Sequence, residues 1–166
     1  AKIADKKRSS IGPRFIFFQT DNCHTMSNNA IKNEVESVMM FSSSEVYGTP
    51  NPQAIPTKET YIGAIPTMGN RSCYDIGKQV LETLCNIYYN EYKVPVKMVR
   101  PFNFYGPYMG INDNRVLSNW MRNYLQDKPI TIYGNGKQTR DFIHVDDLTN
   151  AFIKLTRSNF KNKIYN

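Results

Sequence analysis

The sequence predicts an α/β layered sheet, and three observations carry that prediction. Two short apolar runs without polar alternation, "VESVMMF" and "VPVKMVRPFNF", read as strands covered on both faces. A long helical pattern separates them, which is the strand–helix–strand order of a parallel sheet. Polar groups sit at the carboxyl end of each run: Ser42, Ser43, Ser44 and Glu45 after the first, Asn103 at the end of the second. Ligands of such sheets bind outside the carboxyl ends of the strands.

Residues 1–29 receive no element. They hold a charged start, a Gly12-Pro13 break, the short apolar "RFIFF" and a polar stretch in which His24 beside Cys23 reads as incidental rather than as a metal pair. Residues 35–41 form the first buried strand. Residues 49–70, with four prolines, are a long loop, and loops of that length within a domain tend to be functional. A helix follows over about 73–92, with Ile76, Val80, Leu84, Ile87 and Tyr88 recurring at helical spacing as its core face. Residues 94–104 are the next strand, ending in the turn "YGP". Residues 114–126 make an amphipathic helix, "ITIYGNG" a short strand and turn, and "VDDLTNAFIKLT" a last helix capped by Asp146 or Asp147.

Composition narrows the function classes. At 166 residues with 40% hydrophobic content, the chain suits one domain with a real core. The net charge of +7 is spread along the length, and the only basic run is Lys6-Lys7-Arg8. A nucleic-acid surface clusters its charge and interleaves aromatics, so the balance fits anionic small molecules better. Three cysteines without C-x-x-C spacing point to reduced thiols in a cytoplasmic setting. No apolar run approaches the roughly 20 residues of a membrane span, and the N-terminus lacks a signal-peptide layout.

The chemistry concentrates at Tyr74 and Lys78, which are four apart on the predicted helix and so share a face. An ammonium beside a phenol stabilises phenolate and lowers its pKa from the ordinary value of about 10. A phenolate near working pH is a competent general base. The plain alternative is a surface tyrosine above a solvated lysine. The hydroxyl-rich strand end upstream is what tips the reading toward a proton-handling site.

Five motifs stand in register from about residue 30 to 166: "FSSSEVYG", "YDIGK", "VRPFNFYGP", "ITIYGNG" and "TRDFIHVDDL". Through them the chain resembles the extended short-chain dehydrogenase/reductase family, NAD-dependent enzymes that modify nucleotide sugars. The stretches "GNRSCYDIGKQVLET", "NFYGPYMGINDNRVLSNW" and "GNGKQTRDF" look most like its branch that decarboxylates UDP-glucuronate to UDP-xylose through a 4-keto intermediate. The resemblance implies part of a Rossmann-like doubly wound parallel sheet with part of a small substrate domain. Residues 30–166 would be the C-terminal half of the catalytic domain merging into a partial nucleotide-sugar-binding domain. It implies Tyr74 as base, with Lys78, Ser43, Ser44 and Glu45 completing the catalytic set. Ser42, Tyr74, Lys78 and Pro101 would touch NAD, and Asn103, Arg115, Val116, Tyr133 and Arg140 the nucleotide-sugar substrate. No metal is implied, and the partner is a second copy of the chain, packed through the Tyr74 helix.

Alternatives stay open at this stage. Ser44 stands where the family's glucose 4,6-dehydratases carry an aspartate, and its epimerases commonly lack a carboxylate at the place of Glu45. A 4-epimerase or 4,6-dehydratase of the family nevertheless remains in view, as does a non-catalytic binding or assembly module. The hydroxyls at residues 42–44 could instead satisfy loop amides, and Glu45 could be a surface charge. Arg140 could pair with Asp141 or Asp147, Arg115 could face solvent, and His144 reads as a packed structural histidine. No G-x-x-G-x-x-G turn for a pyrophosphate occurs in the sequence, so the chain reads as a fragment of a longer enzyme.

Overall fold

The computed structural model describes residues 15–18, 30–33, 35–160 and 162–166; the expectations about Cys23, His24 and the rest of residues 1–29 lie outside them. Residues 38–40 of the first apolar run are fully buried, as continuous apolar patterning requires. They belong to β2 (Ser37–Phe41), which lies between β1 (Phe15–Phe18) and β3 (Val96–Val99), with β6 (Lys163–Tyr165) beyond β3. All three pairings are parallel. Phe41 stands opposite Val99 and Val99 opposite Tyr165, so three strand carboxyl ends form one row.

α1 (Ser72–Tyr92) is the crossover from β2 to β3. Its buried residues are Ser72, Lys78, Leu81, Cys85 and Tyr88, and the last three pack with Val38, Met40, Val96 and Met98. This corrects the expected core face. Tyr88 is in the core and Leu84 packs at its edge, but Val80 and Ile87 are 51% and 44% exposed. Two apolar stripes on this helix satisfy the 3.6-residue period, and the one that turns Lys78 toward the strand ends is the one that packs.

The expected strand over 94–104 is two strands. Pro101 interrupts it, and β4 (Asn103–Tyr105) leaves the main sheet to pair in parallel with β5 (Phe142–His144). α2 (Val116–Leu125) precedes β5 and α3 (Val145–Thr156) follows it. "ITIYGNG" contributes only a turn, because no described strand lies beside it to complete a ladder. The cap of α3 is His144, whose Nδ1 accepts from the Asp146 amide at 3.3 Å; Asp146 and Asp147 lie in the first turn instead. Its Tyr105 edge contact, with ring centroids 5.3 Å apart, completes a packed, structural role for His144.

Lys97 is a lysine in an otherwise apolar strand. Its Nζ donates to the carbonyls of Leu155, Thr156 and Ser158 at 2.7, 2.9 and 2.6 Å, closing the C-terminal end of α3. That end carries unsatisfied carbonyls and negative partial charge, which an ammonium offsets.

Candidate functional site

At the carboxyl ends of β2 and β3 the chain leaves a crevice of about 940 Å³. Ser42, Ser43, Ser44, Glu45, Tyr74 and Lys78 line one wall; Pro101, Asn103, Arg115 and Val116 line the other. Ten of the twelve residues singled out by sequence therefore meet at one place. Tyr133 and Arg140 do not line it. Tyr133 is 80% exposed, and Arg140 Nη1 donates to the neighbouring Thr139 carbonyl at 2.7 Å. Tyr133 sits on the stretch that found no strand partner, and Arg140 lies just before β5.

The first wall is built by local hydrogen bonds. The Ser42 amide donates to Val99 O at 2.8 Å and the Ser44 amide to Pro101 O at 3.3 Å, which locks the two strand ends together. Ser43 caps a short 3-10 turn over Ser44–Tyr47, its Oγ accepting from the Glu45 amide at 3.2 Å. Gly48 closes that turn at φ +60°, a conformation that favours glycine. A Cβ there would also stand 2.2 Å from the Ala64 carbonyl oxygen, so the glycine of "EVYG" answers to two constraints.

Lys78 is 2% exposed and donates from Nζ to Phe41 O at 2.8 Å, which ties the helix to the last residue of β2. The same Nζ lies 5.5 Å from the centroid of the Tyr74 ring. Arg71 approaches that ring as well, at 5.6 Å, and pairs with Glu45 Oε1 at 3.3 Å. Tyr74, 43% exposed, thus presents its phenol to the crevice flanked by two cations. Arg71 was not singled out from the sequence. Its only signal is the three-residue spacing to Tyr74, which an exposed arginine satisfies as readily.

On the second wall, Asn103 Nδ2 donates to Asp141 O at 3.2 Å. Arg115 donates from Nε to Asp113 Oδ2 at 2.7 Å, its Nη2 lies 2.7 Å from the same oxygen, and its amide donates to Oδ1 at 3.1 Å. Those hydrogen bonds hold the Asp113 carboxyl below its ordinary range. Sequence reasoning also missed a buried cluster behind Ser42, made of Glu82, Arg100 and Tyr47. No group of three metal-ligating side chains occurs among the described residues, and no described helix is long and apolar enough to cross a membrane.

The chain is 42% identical over 127 residues to UDP-glucuronic acid decarboxylase 1 of Xenopus tropicalis, covering 76% of this chain and 30% of that protein. It is 46% identical over 117 residues to UDP-glucuronic acid decarboxylase 4 of Arabidopsis thaliana, covering 70% and 26%. The chain therefore spans under a third of the length of these two relatives. Among solved structures, UDP-glucuronic acid 4-epimerase from Bacillus cereus, in complex with UDP-glucuronic acid and NAD, superposes with a TM-score of 0.72 at 26% identity, covering 86% of this chain and 43% of that one. The α/β architecture with its parallel sheet is thus shared with a nucleotide-sugar enzyme. The sequence profile of the NAD dependent epimerase/dehydratase family matches residues 20–166, and the chain belongs to that family.

Proposed function

We propose that the protein carrying these residues converts UDP-glucuronate to UDP-xylose by NAD-dependent oxidation and decarboxylation. The observation that carries this reading is the convergence of Tyr74, Lys78, Ser43, Ser44 and Glu45 on one crevice, in a chain 42% and 46% identical to two decarboxylases of that sugar nucleotide. A crevice of about 940 Å³ floored by a buried ammonium fits the nicotinamide end of a dinucleotide together with a sugar. Ser42, Tyr74, Lys78 and Pro101 would hold that end. When bound, NAD supplies a reversible oxidation at carbon 4 of the sugar.

Tyr74 takes the proton of the 4-hydroxyl, and the Lys78 ammonium, fixed on the Phe41 carbonyl, balances the phenolate that releases and regains it. Ser43 hydrogen-bonds the same sugar oxygen. The 4-ketone so formed lies β to the sugar carboxylate, so the bond from carbon 5 to the carboxylate would break, carbon dioxide leaving while the bonding pair delocalises onto the 4-oxygen as an enolate. Once carbon 5 is protonated, reversal of the oxidation would restore the 4-hydroxyl. Ser44 and Glu45, on the 3-10 turn beside Tyr74, handle the proton that returns to carbon 5. Asn103, Arg115 and Val116 contact the substrate from the opposite wall. Tyr133 and Arg140 join them when the stretch 130–141 lies over the crevice.

Residues 30–166 then represent the second half of a Rossmann-like catalytic domain merging into the sugar-binding part. The exposed Val80 and Ile87 on α1 support a homodimer through that helix. The free thiols of Cys73 and Cys85 suit a reducing, cytoplasmic setting. The Bacillus cereus structure favours one second reading, 4-epimerisation of the same substrate. Supplying UDP-glucuronate and NAD⁺ to the full-length protein and weighing the products decides between them. Loss of carbon dioxide is the expected result. Unchanged mass with inverted stereochemistry selects the epimerase, and no product under either condition sinks both.

A further inference from the structure

Behind the crevice wall lies a buried polar cluster that the proposed reaction does not use. Glu82 sits one turn beyond Lys78 on α1, so Tyr74, Lys78 and Glu82 follow one another along one face. Arg100, immediately after β3 and 6% exposed, donates from Nε to Glu82 Oε1 at 2.8 Å and from Nη2 to Oε2 at 2.6 Å. Its Nη1 donates to the Tyr47 hydroxyl at 2.7 Å and to the Glu59 carbonyl at 2.9 Å. Tyr47 donates onward to Asn166 Oδ1 at 2.7 Å. Ser42, 5% exposed and lining the crevice, donates from Oγ to the same Glu82 Oε1 at 2.5 Å.

The chemistry of this cluster sets the direction of a hydrogen bond. A guanidinium only donates, and a carboxylate held bidentately by it only accepts. The single proton of the Ser42 hydroxyl is therefore committed to Glu82, and lone pairs are what that oxygen has left for the crevice. We infer that Glu82 and Arg100 are positioning residues that make Ser42 a hydrogen-bond acceptor toward the bound ligand, selecting a ligand group that donates an O–H or N–H. The inference rests on the crevice being a dinucleotide and nucleotide-sugar site, and both ligands offer such donors as hydroxyls or an amide. An unconstrained serine rotates to suit either kind of partner. A constrained one leaves two acceptors facing each other when the wrong group arrives, which is discrimination by an unpaired polar atom. Stability alone is a weak reason for the pair, since well-packed apolar side chains serve a core as well or better.

The test measures dissociation constants of the full-length protein for NAD⁺ and, separately, UDP-glucuronate by calorimetry. The variants are Ser42→Ala, Ser42→Thr and Glu82→Gln; a glutamine amide can donate to Ser42 Oγ and turn the serine proton toward the ligand. Ser42→Ala and Glu82→Gln should each weaken the same ligand by roughly 3- to 10-fold, the loss of about one neutral hydrogen bond, with Ser42→Thr within about twofold. Which ligand weakens identifies the source of the donor. A double Glu82→Gln/Arg100→Met variant removes both charges at once, keeps the amide that can donate to Ser42, and covers the case in which Glu82→Gln alone fails to fold; the same weakening is expected of it. Unchanged affinity for both ligands in Ser42→Ala, or a loss in Ser42→Ala that neither Glu82 variant reproduces, overturns the inference alone. A wild-type protein that binds neither ligand overturns it together with the proposed function.

Discussion

The two walls of the crevice are made differently. On the β2–α1 wall the buried polar side chains are tied from behind, Lys78 to the Phe41 carbonyl and Ser42 to Glu82, and Gln79 Nε2 donates to the Val46 carbonyl of the adjoining turn at 3.1 Å. On the opposite wall and beyond it, residues 103–141 are mostly exposed, and apolar side chains such as Ile130, Ile132 and Tyr133 face solvent. Groups that move protons need sub-ångström placement, which buried hydrogen bonds supply. Groups that grip a large flexible substrate tolerate more latitude. Under the proposed function, the difference would put the reaction on one wall and much of the substrate's grip on the other.

The largest expected effect tests that division directly. Tyr74→Phe keeps the ring and its flanking cations but removes the acidic proton, so turnover should fall roughly 10²- to 10⁴-fold in the full-length protein. Asn103→Ala, across the crevice, should change KM by about 3- to 10-fold with kcat little altered, as loss of one hydrogen bond would. Full activity in Tyr74→Phe would remove the base assignment. A kcat collapse in Asn103→Ala would erase the distinction between the walls.

Stability should divide along the same line. Leu81 is fully buried among the strands, and Leu81→Ala is expected to cost about 2–5 kcal/mol by urea unfolding. Ile132→Ala, at an exposed site, should stay within about 0.5 kcal/mol. Comparable losses at both positions would mean that the outer stretch is packed in the full-length protein.

The same contrast explains what could be read from the sequence. β2 was legible because a continuous apolar run of strand length has few other uses. Tyr74, Lys78 and the hydroxyl run were legible because their chemistry is written in residue type and spacing. The rotation of α1 was not, since Val80 and Leu81 belong to stripes of equal period and only the reach of Lys78 to Phe41 decides between them. Glu82 and Arg100 look like surface residues in isolation; burial follows from their meeting across 18 positions, which no local pattern records. The strand expected at "ITIYG" failed for a related reason. A strand exists by virtue of its neighbour, and the local sequence does not state where that neighbour is.

The smallest expected effect concerns the bracing of the second wall. Asp113 is partly exposed, its side chain 28% so, and Arg115 holds its carboxyl below the ordinary value of 3.8 through side-chain and backbone hydrogen bonds. The sign follows from the lowered value. The pair contributes fully above the ordinary carboxylate range and is lost as pH falls through the lowered folded value. Its worth is small, because exposed pairs are screened by water and salt. What it supplies is orientation, since two guanidinium nitrogens rest on one carboxylate oxygen and the remaining donors are left for an anionic substrate. Asp113→Asn should therefore raise KM for UDP-glucuronate by about two- to fourfold at neutral pH, with kcat unchanged, in line with an exposed ion pair. In binding measurements the gap between wild type and variant should close as the solution is acidified below the ordinary carboxylate range. A KM that falls instead would mean that Asp113 competes with the substrate for Arg115, and the second wall would then be gated by its own carboxylate rather than braced by it.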